Sequence, residues 1–151
     1  MPTARCRIVT ASYHGDIVAW AEEQARLLRA GRFDHLDIEH LAEEIEDVGK
    51  SEQRELANRM ALLIAHLLKW RYQPERRGAS WELTIRNQRR GILRRLERTP
   101  SLRAPVADPD WWQDVWDDGI VQAIQETGLT DFPLSCPWAV GDMLREGWLP
   151  E

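Results

Sequence analysis

Apolar residues recur at spacings of three and four between Ser51 and Pro74, where Leu56, Met60, Leu63, Ile64 and Leu67 trace one stripe of a helix. Leu62, Leu68 and Trp70 lie off that stripe, so the apolar surface covers well over half the circumference. A helix apolar over so much of its surface must be surrounded by others, and the pattern predicts the central, most buried element of a bundle. Nothing in the chain alternates with period two over a useful length, so no strands are expected.

Start and stop signals divide the rest into further helices. Asp16 is a cap for a first one, with Ile17, Trp20, Gln24, Leu27 and Leu28 on one side and Gly31 ending it. Asp37 is a cap for a second, with Ile38, Leu41, Ile45 and Val48 on one stripe and Gly49 behind it. Ser51 opens the third, and Pro74 ends it by removing a backbone donor. Ser80 starts a fourth, with Trp81, Ile85, Gln88, Ile92 and Leu96 facing inward and Pro100 closing it. Asp108 before Pro109 is the pattern of a cap with proline at the first helical position, and Gly128 ends that fifth helix. Its inner face would hold Trp112, Val115, Trp116, Ile120 and Ala123. A short last helix is expected near Trp138 to Arg145. The expectation is an all-α bundle of five to six helices, with residues 1–14 a flexible arm and 15–151 one domain.

At 151 residues, 43% hydrophobic and 30% charged, the chain is long enough to bury a core and too apolar for disorder. No apolar run reaches the roughly 18–20 residues that cross a bilayer, and the start lacks a signal-peptide pattern. Cys6 and Cys136 have no metal-binding or disulfide spacing. A soluble protein of the reducing cytoplasm is expected.

Two runs, Glu39-His40-Leu41-Ala42-Glu43-Glu44-Ile45-Glu46-Asp47 and His66-Leu67-Leu68-Lys69-Trp70, are long and unusual enough to carry a resemblance. Tyr72-Gln73-Pro74-Glu75-Arg76, Ser80-Trp81, Ser101-Leu102-Arg103, Cys136-Pro137-Trp138 and Trp148-Leu149-Pro150 support it. From about Tyr13 to the C-terminus the chain resembles the bacterial domain-of-unknown-function family numbered twenty-nine. The resemblance implies a compact helical fold in bacterial proteins and brings no activity with it.

Three constellations bear on function. His40, Glu44 and Asp47 share one helical stripe, and His66 sits at the edge of the next helix's apolar face. If those helices pack antiparallel, two imidazoles and two carboxylates converge, a donor set that suits a divalent transition metal and a metal-dependent hydrolase. The simpler reading has the acids solvated and His66 hydrogen-bonded in the core.

The second constellation is a basic stretch in an acidic chain. Lys69 to Arg103 carries 11 basic and 3 acidic residues, inside a protein of net charge −5. Arg86, Arg90, Arg94 and Arg98 repeat every four residues, opposite Ile92. Like charges at that spacing destabilise a helix, so an acid is expected to offset them. It would be the acidic helices of the same chain, an acidic protein partner or a homodimer, or nucleic-acid phosphate with Trp81 and Tyr72 stacking on bases. A sequence pI near 5.4 disfavours a dedicated nucleic-acid binder.

The third is the set of eight tryptophans. Trp20, Trp81, Trp112 and Trp116 fall on inner faces, whereas Trp111 and Trp148 are candidates for partner contacts, with packing over the bundle as the other reading. Cys136 is a remote candidate nucleophile, and no phosphate loop, nucleophile elbow or dinucleotide fingerprint is present. The best functional expectation is a non-enzymatic module that binds through its arginine face.

Overall fold

The computed structural model describes residues 11–151. The described residues form six α-helices and three short 3-10 turns, with no strand among them. The helices are α1 (Ile17–Arg29), α2 (Ile38–Tyr72), α3 (Ala79–Arg98), α4 (Arg103–Val106), α5 (Pro109–Thr127) and α6 (Val140–Met143). The described residues divide into two compact units, one up to Gly49 and one from Lys50 on. Most of the expected N-terminal arm, with Cys6, lies outside the described residues.

Local chemistry explains the helix ends. The Asp16 side chain accepts from the Ala19 amide at 3.0 Å, and Gly31 takes a left-handed φ of 70° to close α1. The Asp108 side chain accepts from the Asp110 amide at 2.9 Å, Pro109 follows it, and Gly128 ends α5 at φ 73°. At the end of α2, Arg77 lies over the Trp70 ring and donates to the Trp70 carbonyl at 2.7 Å, satisfying an acceptor the helix leaves open. Ser80 does not start α3. That helix begins at Ala79 behind Gly78, and the Ser80 carbonyl accepts from Thr84. The expected last helix shrinks to the four residues of α6.

The expected second and third helices are a single one. Gly49 lies inside α2 with a negative φ, so it does not serve as a left-handed cap. One glycine in a run of good helix formers costs about 1 kcal/mol, too little to break the backbone ladder.

In the first unit, Trp20, Gln24 and Leu27 are buried as expected. Ile38, Ile45 and Val48, which share one stripe, are exposed, as are Ile17 and Leu28. The reason is rotational: α2 turns His40 and Glu44, not its apolar stripe, toward the segment around Tyr13.

In the second unit the core centres on α2. Leu56, Met60, Leu63, Ile64, Leu67 and Leu68 are fully buried, and every residue from Leu63 to Trp70 is enclosed. Each such side chain contributes about 1.5–3 kcal/mol by leaving water. Ile85 and Ile92 of α3, Val115 and Trp116 of α5, Leu102, and Met143 of α6 complete the cluster. Gly119 of α5 lies against α2 so closely that a Cβ there would stand 2.5 Å from Ile64 Cγ2. No described helix is long and apolar enough to cross a membrane.

Candidate functional site

The first cluster is built around Asp37. Its backbone carbonyl accepts from the Leu41 amide to start α2, and its amide is held by Gln24 Oε1 at 2.8 Å. Its Oδ2 accepts from Trp20 Nε1 at 2.9 Å and from His40 Nδ1 at 2.7 Å. Tyr13 stacks on the His40 ring at 4.1 Å and donates its hydroxyl to Glu44 Oε1 at 2.6 Å, and His14 meets His40 edge-on. The bond to Asp37 favours imidazolium and raises the His40 pKa, while the bond to His40 lowers that of Asp37. Donation to the Glu44 carboxylate raises Tyr13 to about 12.

This arrangement replaces the metal site considered from the sequence. Convergence required two separate helices packed antiparallel, whereas His40 and His66 belong to one continuous helix, α2. His40 and Glu44 are bridged through Tyr13, and Asp47 is not part of those bonds. No group of three or more His, Cys, Asp or Glu side chains positioned for a metal occurs among the described residues.

His66 has its own buried setting. Its Nδ1–H donates to the Leu62 carbonyl at 3.0 Å, and its Nε2 faces Lys69 Nζ at 3.4 Å. Lys69 is itself buried, pairs with Glu126 of α5 and lies 5.1 Å over the Trp81 ring of α3. Burial, with the Lys69 charge alongside, lowers the His66 pKa from its usual 6.5, and the Leu62 bond and the Glu126 charge oppose this more weakly.

Because the folded pKa is the lower one, the neutral His66 contributes stability above about pH 6.5 that is lost as pH falls through that range. His40 has the opposite sign: its contribution is present below 6.5 and lost as pH rises past its raised pKa. Melting wild type and His66→Gln between about pH 8 and pH 5 checks the first. The wild type should lose more melting temperature on acidification than the variant, and parallel losses would remove His66 as the cause.

The arginine ladder is where α3 meets solvent. Arg86, Arg90, Arg94 and Arg98 are all exposed. Among the described residues no carboxylate lies within 4.0 Å of Arg86, Arg94 or Arg98, and Arg90 has only the exposed Glu146 at 3.7 Å. The acids of α2 go elsewhere: Glu52 and Glu55 pair with Arg95 at 2.9 and 3.4 Å. Two grooves flank the ladder. One, of about 530 Å³, runs between α3 and the C-terminal segment, with Leu83, Arg86, Arg90, Leu93, Leu144 and Leu149 among its walls. The other, of about 610 Å³, is mostly basic, with Arg59, Arg90, Arg94, Arg95 and Arg98 along it.

Arg89 is the residue that periodicity hid. It falls on the Ile85–Ile92–Leu96 stripe, one step from the ladder, and is buried. Its Nε donates to the Met143 carbonyl at 2.6 Å and its terminal nitrogen to the Trp148 carbonyl, tying the C-terminal segment to α3. An arginine on an otherwise apolar stripe was the signal available.

The aromatic candidates divide. Trp148 packs edge-on to Trp138 at 5.8 Å and against the core, so it serves packing. Trp111 is also half-buried against the core, edge-on to Trp112 at 5.6 Å. Tyr72 meets Phe132 edge-on but stays exposed, whereas Trp81 carries Lys69 on its face. Burial raises the Cys136 pKa and its thiol donates to the Trp138 carbonyl, the reverse of what a nucleophile needs.

Comparison with curated proteins and with solved structures gives no match. The family model of Domain of unknown function DUF29 matches residues 12–149, nearly the whole chain, and the protein belongs to that family.

Proposed function

We propose that this protein is a non-enzymatic binding module whose α3 arginine face receives an acidic protein surface. One observation carries the reading: three of the four ladder arginines have no carboxylate partner among the described residues, and the fourth has one weak, exposed partner. Four like charges left at i,i+4 spacing destabilise their own helix by a few tenths of a kcal/mol per pair, a cost that an acidic partner removes. Leucines beside the arginines supply an apolar floor, which suits a protein surface better than a phosphate backbone. With Trp81 carrying Lys69 on its face, a nucleic acid would have only the exposed Tyr72 as a stacking platform. A cytoplasmic setting accords with the free Cys136 thiol.

The test uses a synthetic helical peptide with glutamates four apart and leucines beside them, and a DNA duplex for comparison. Wild type should bind the peptide at low salt more tightly than the duplex. Reversing Arg86, Arg90, Arg94 and Arg98 to glutamate should abolish that binding with circular-dichroism helicity unchanged. Duplex binding that outlasts the peptide's and falls steeply with salt would favour phosphate recognition instead.

A further inference from the structure

The acid that fits the α3 ladder stands on the same unit. Along α3, Leu83, Arg86, Arg90 and Leu93 occur at offsets of zero, three, seven and ten, with Arg94 one residue on. Along α5, Trp111, Asp114, Asp118 and Val121 occur at those same offsets, with Asp110 one residue before. At about 100° per residue each set of five lies within roughly 100° of one helix face. All are exposed except the half-buried Trp111. Among the described residues Asp110, Asp114 and Asp118 form no ion pair, so both ladders present uncompensated charge of opposite sign.

We propose that the occupant of the arginine face is a second copy of this chain, presenting α5 antiparallel to α3. This deepens the binding-module reading and rests on it. In that register Arg86 meets Asp118, Arg90 meets Asp114 and Arg94 meets Asp110 of the other copy. Leu83 meets Val121 and Leu93 meets Trp111, flanking the Arg86 and Arg90 pairs, with the Arg94 pair one residue beyond. The groove of about 530 Å³ beside Leu83 and Leu93 receives the apolar side chains. The antiparallel register is favoured by charge, because the parallel one sets Glu82 against Asp110 and Arg94 against the neutral Gln122. Exposed ion pairs are individually weak, so the leucines, valine and tryptophan supply affinity and the charges select the register. Arg90 exchanges its exposed Glu146 for an aspartate. A two-fold arrangement uses both ladders of both copies, burying the same pair of contacts twice.

The experiment measures the solution mass of the full chain by sedimentation equilibrium at rising concentration and at low and high salt. Wild type should exceed its 17.6 kDa chain mass at low salt and return to it as salt screens the pairs. Arg86→Glu with Arg90→Glu should weaken association by about tenfold or more, and so should Asp114→Arg with Asp118→Arg. An equimolar mixture of the two reversed variants should associate again, because each carries the ladder the other needs. Restoration by mixing also shows that both variants are folded. A wild type that stays at one chain mass throughout, or a mixture that stays dissociated, overturns the proposal. The glutamate peptide separates the two readings. Peptide binding by a strictly monomeric wild type overturns self-recognition and leaves the acidic-partner reading standing, whereas loss of both overturns both.

Discussion

Gly119→Val is expected to destabilise the 50–151 unit by about 3 kcal/mol, the upper end of the range for overpacked cores. Gly119 is fully enclosed in the middle of α5, where glycine is otherwise a poor choice, costing about 1 kcal/mol against alanine. It is there because α2 lies against it. A Cβ would stand 2.5 Å from Ile64 Cγ2, 2.9 Å from Ile64 Cβ and 3.2 Å from the Ala61 carbonyl oxygen. Two of these contacts are close to the backbone of α2, so rotating a side chain does not relieve them and the helices must separate. For a unit of this size such a loss lowers the melting temperature by about 14 °C. The diagnostic comparison is Gly119→Ala with and without Ile64→Ala. Ile64→Ala alone should cost about 2–5 kcal/mol as a cavity. The double variant should cost less than the sum, because losing Ile64 Cγ2 removes the closest of the three contacts. If Gly119→Ala alone raised the melting temperature, helix propensity would outweigh the contact and the close approach would be refuted.

Arg89→Met is expected to cost about 2–4 kcal/mol and to free the C-terminal segment. The guanidinium is a buried cation, and burial lowers its pKa without neutralising it. Its two donors satisfy the carbonyls of Met143 and Trp148, which lie 54 and 59 residues away in sequence. Methionine keeps much of the volume but leaves both acceptors without a partner, each at a cost of about 1–3 kcal/mol. Arg89→Lys should fail to rescue, since one ammonium does not span two carbonyls as a planar fork does. Amide hydrogen exchange across residues 140–149 reads the result directly. Fast exchange there in both variants, with the α2 core still protected, is the expected pattern. Unchanged protection would show that Met143 and Leu149 hold the segment by packing alone.

Both effects depend on residues whose importance no periodicity announces. Gly119 reads as a weak point in a helix, and Arg89 as one more base in a basic stretch, until α2 and the C-terminal segment are set against them. The same holds for Asp37. As a cap it is legible, because an aspartate before an apolar-periodic run satisfies a helix start whatever surrounds it. That it also orients His40 and receives Trp20 follows from the direction in which α1 returns.

What the residues determine alone is local or periodic. The caps at Asp16, Asp37 and Asp108, the left-handed glycines at 31 and 128, the stop before Pro74 and the enclosed run from Leu63 to Trp70 need only backbone chemistry and a helical wheel. The tertiary structure decided the inward turn of His40 and Glu44 and the exposure of Ile38, Ile45 and Val48. It also decided that Glu52 and Glu55 serve Arg95 and that, among the described residues, Arg86, Arg94 and Arg98 have no carboxylate partner. The physical reason is common to all of these. A wheel shows which side chains share a face, but burial and charge pairing depend on which face a neighbouring element meets, and that contact comes from residues distant in the chain.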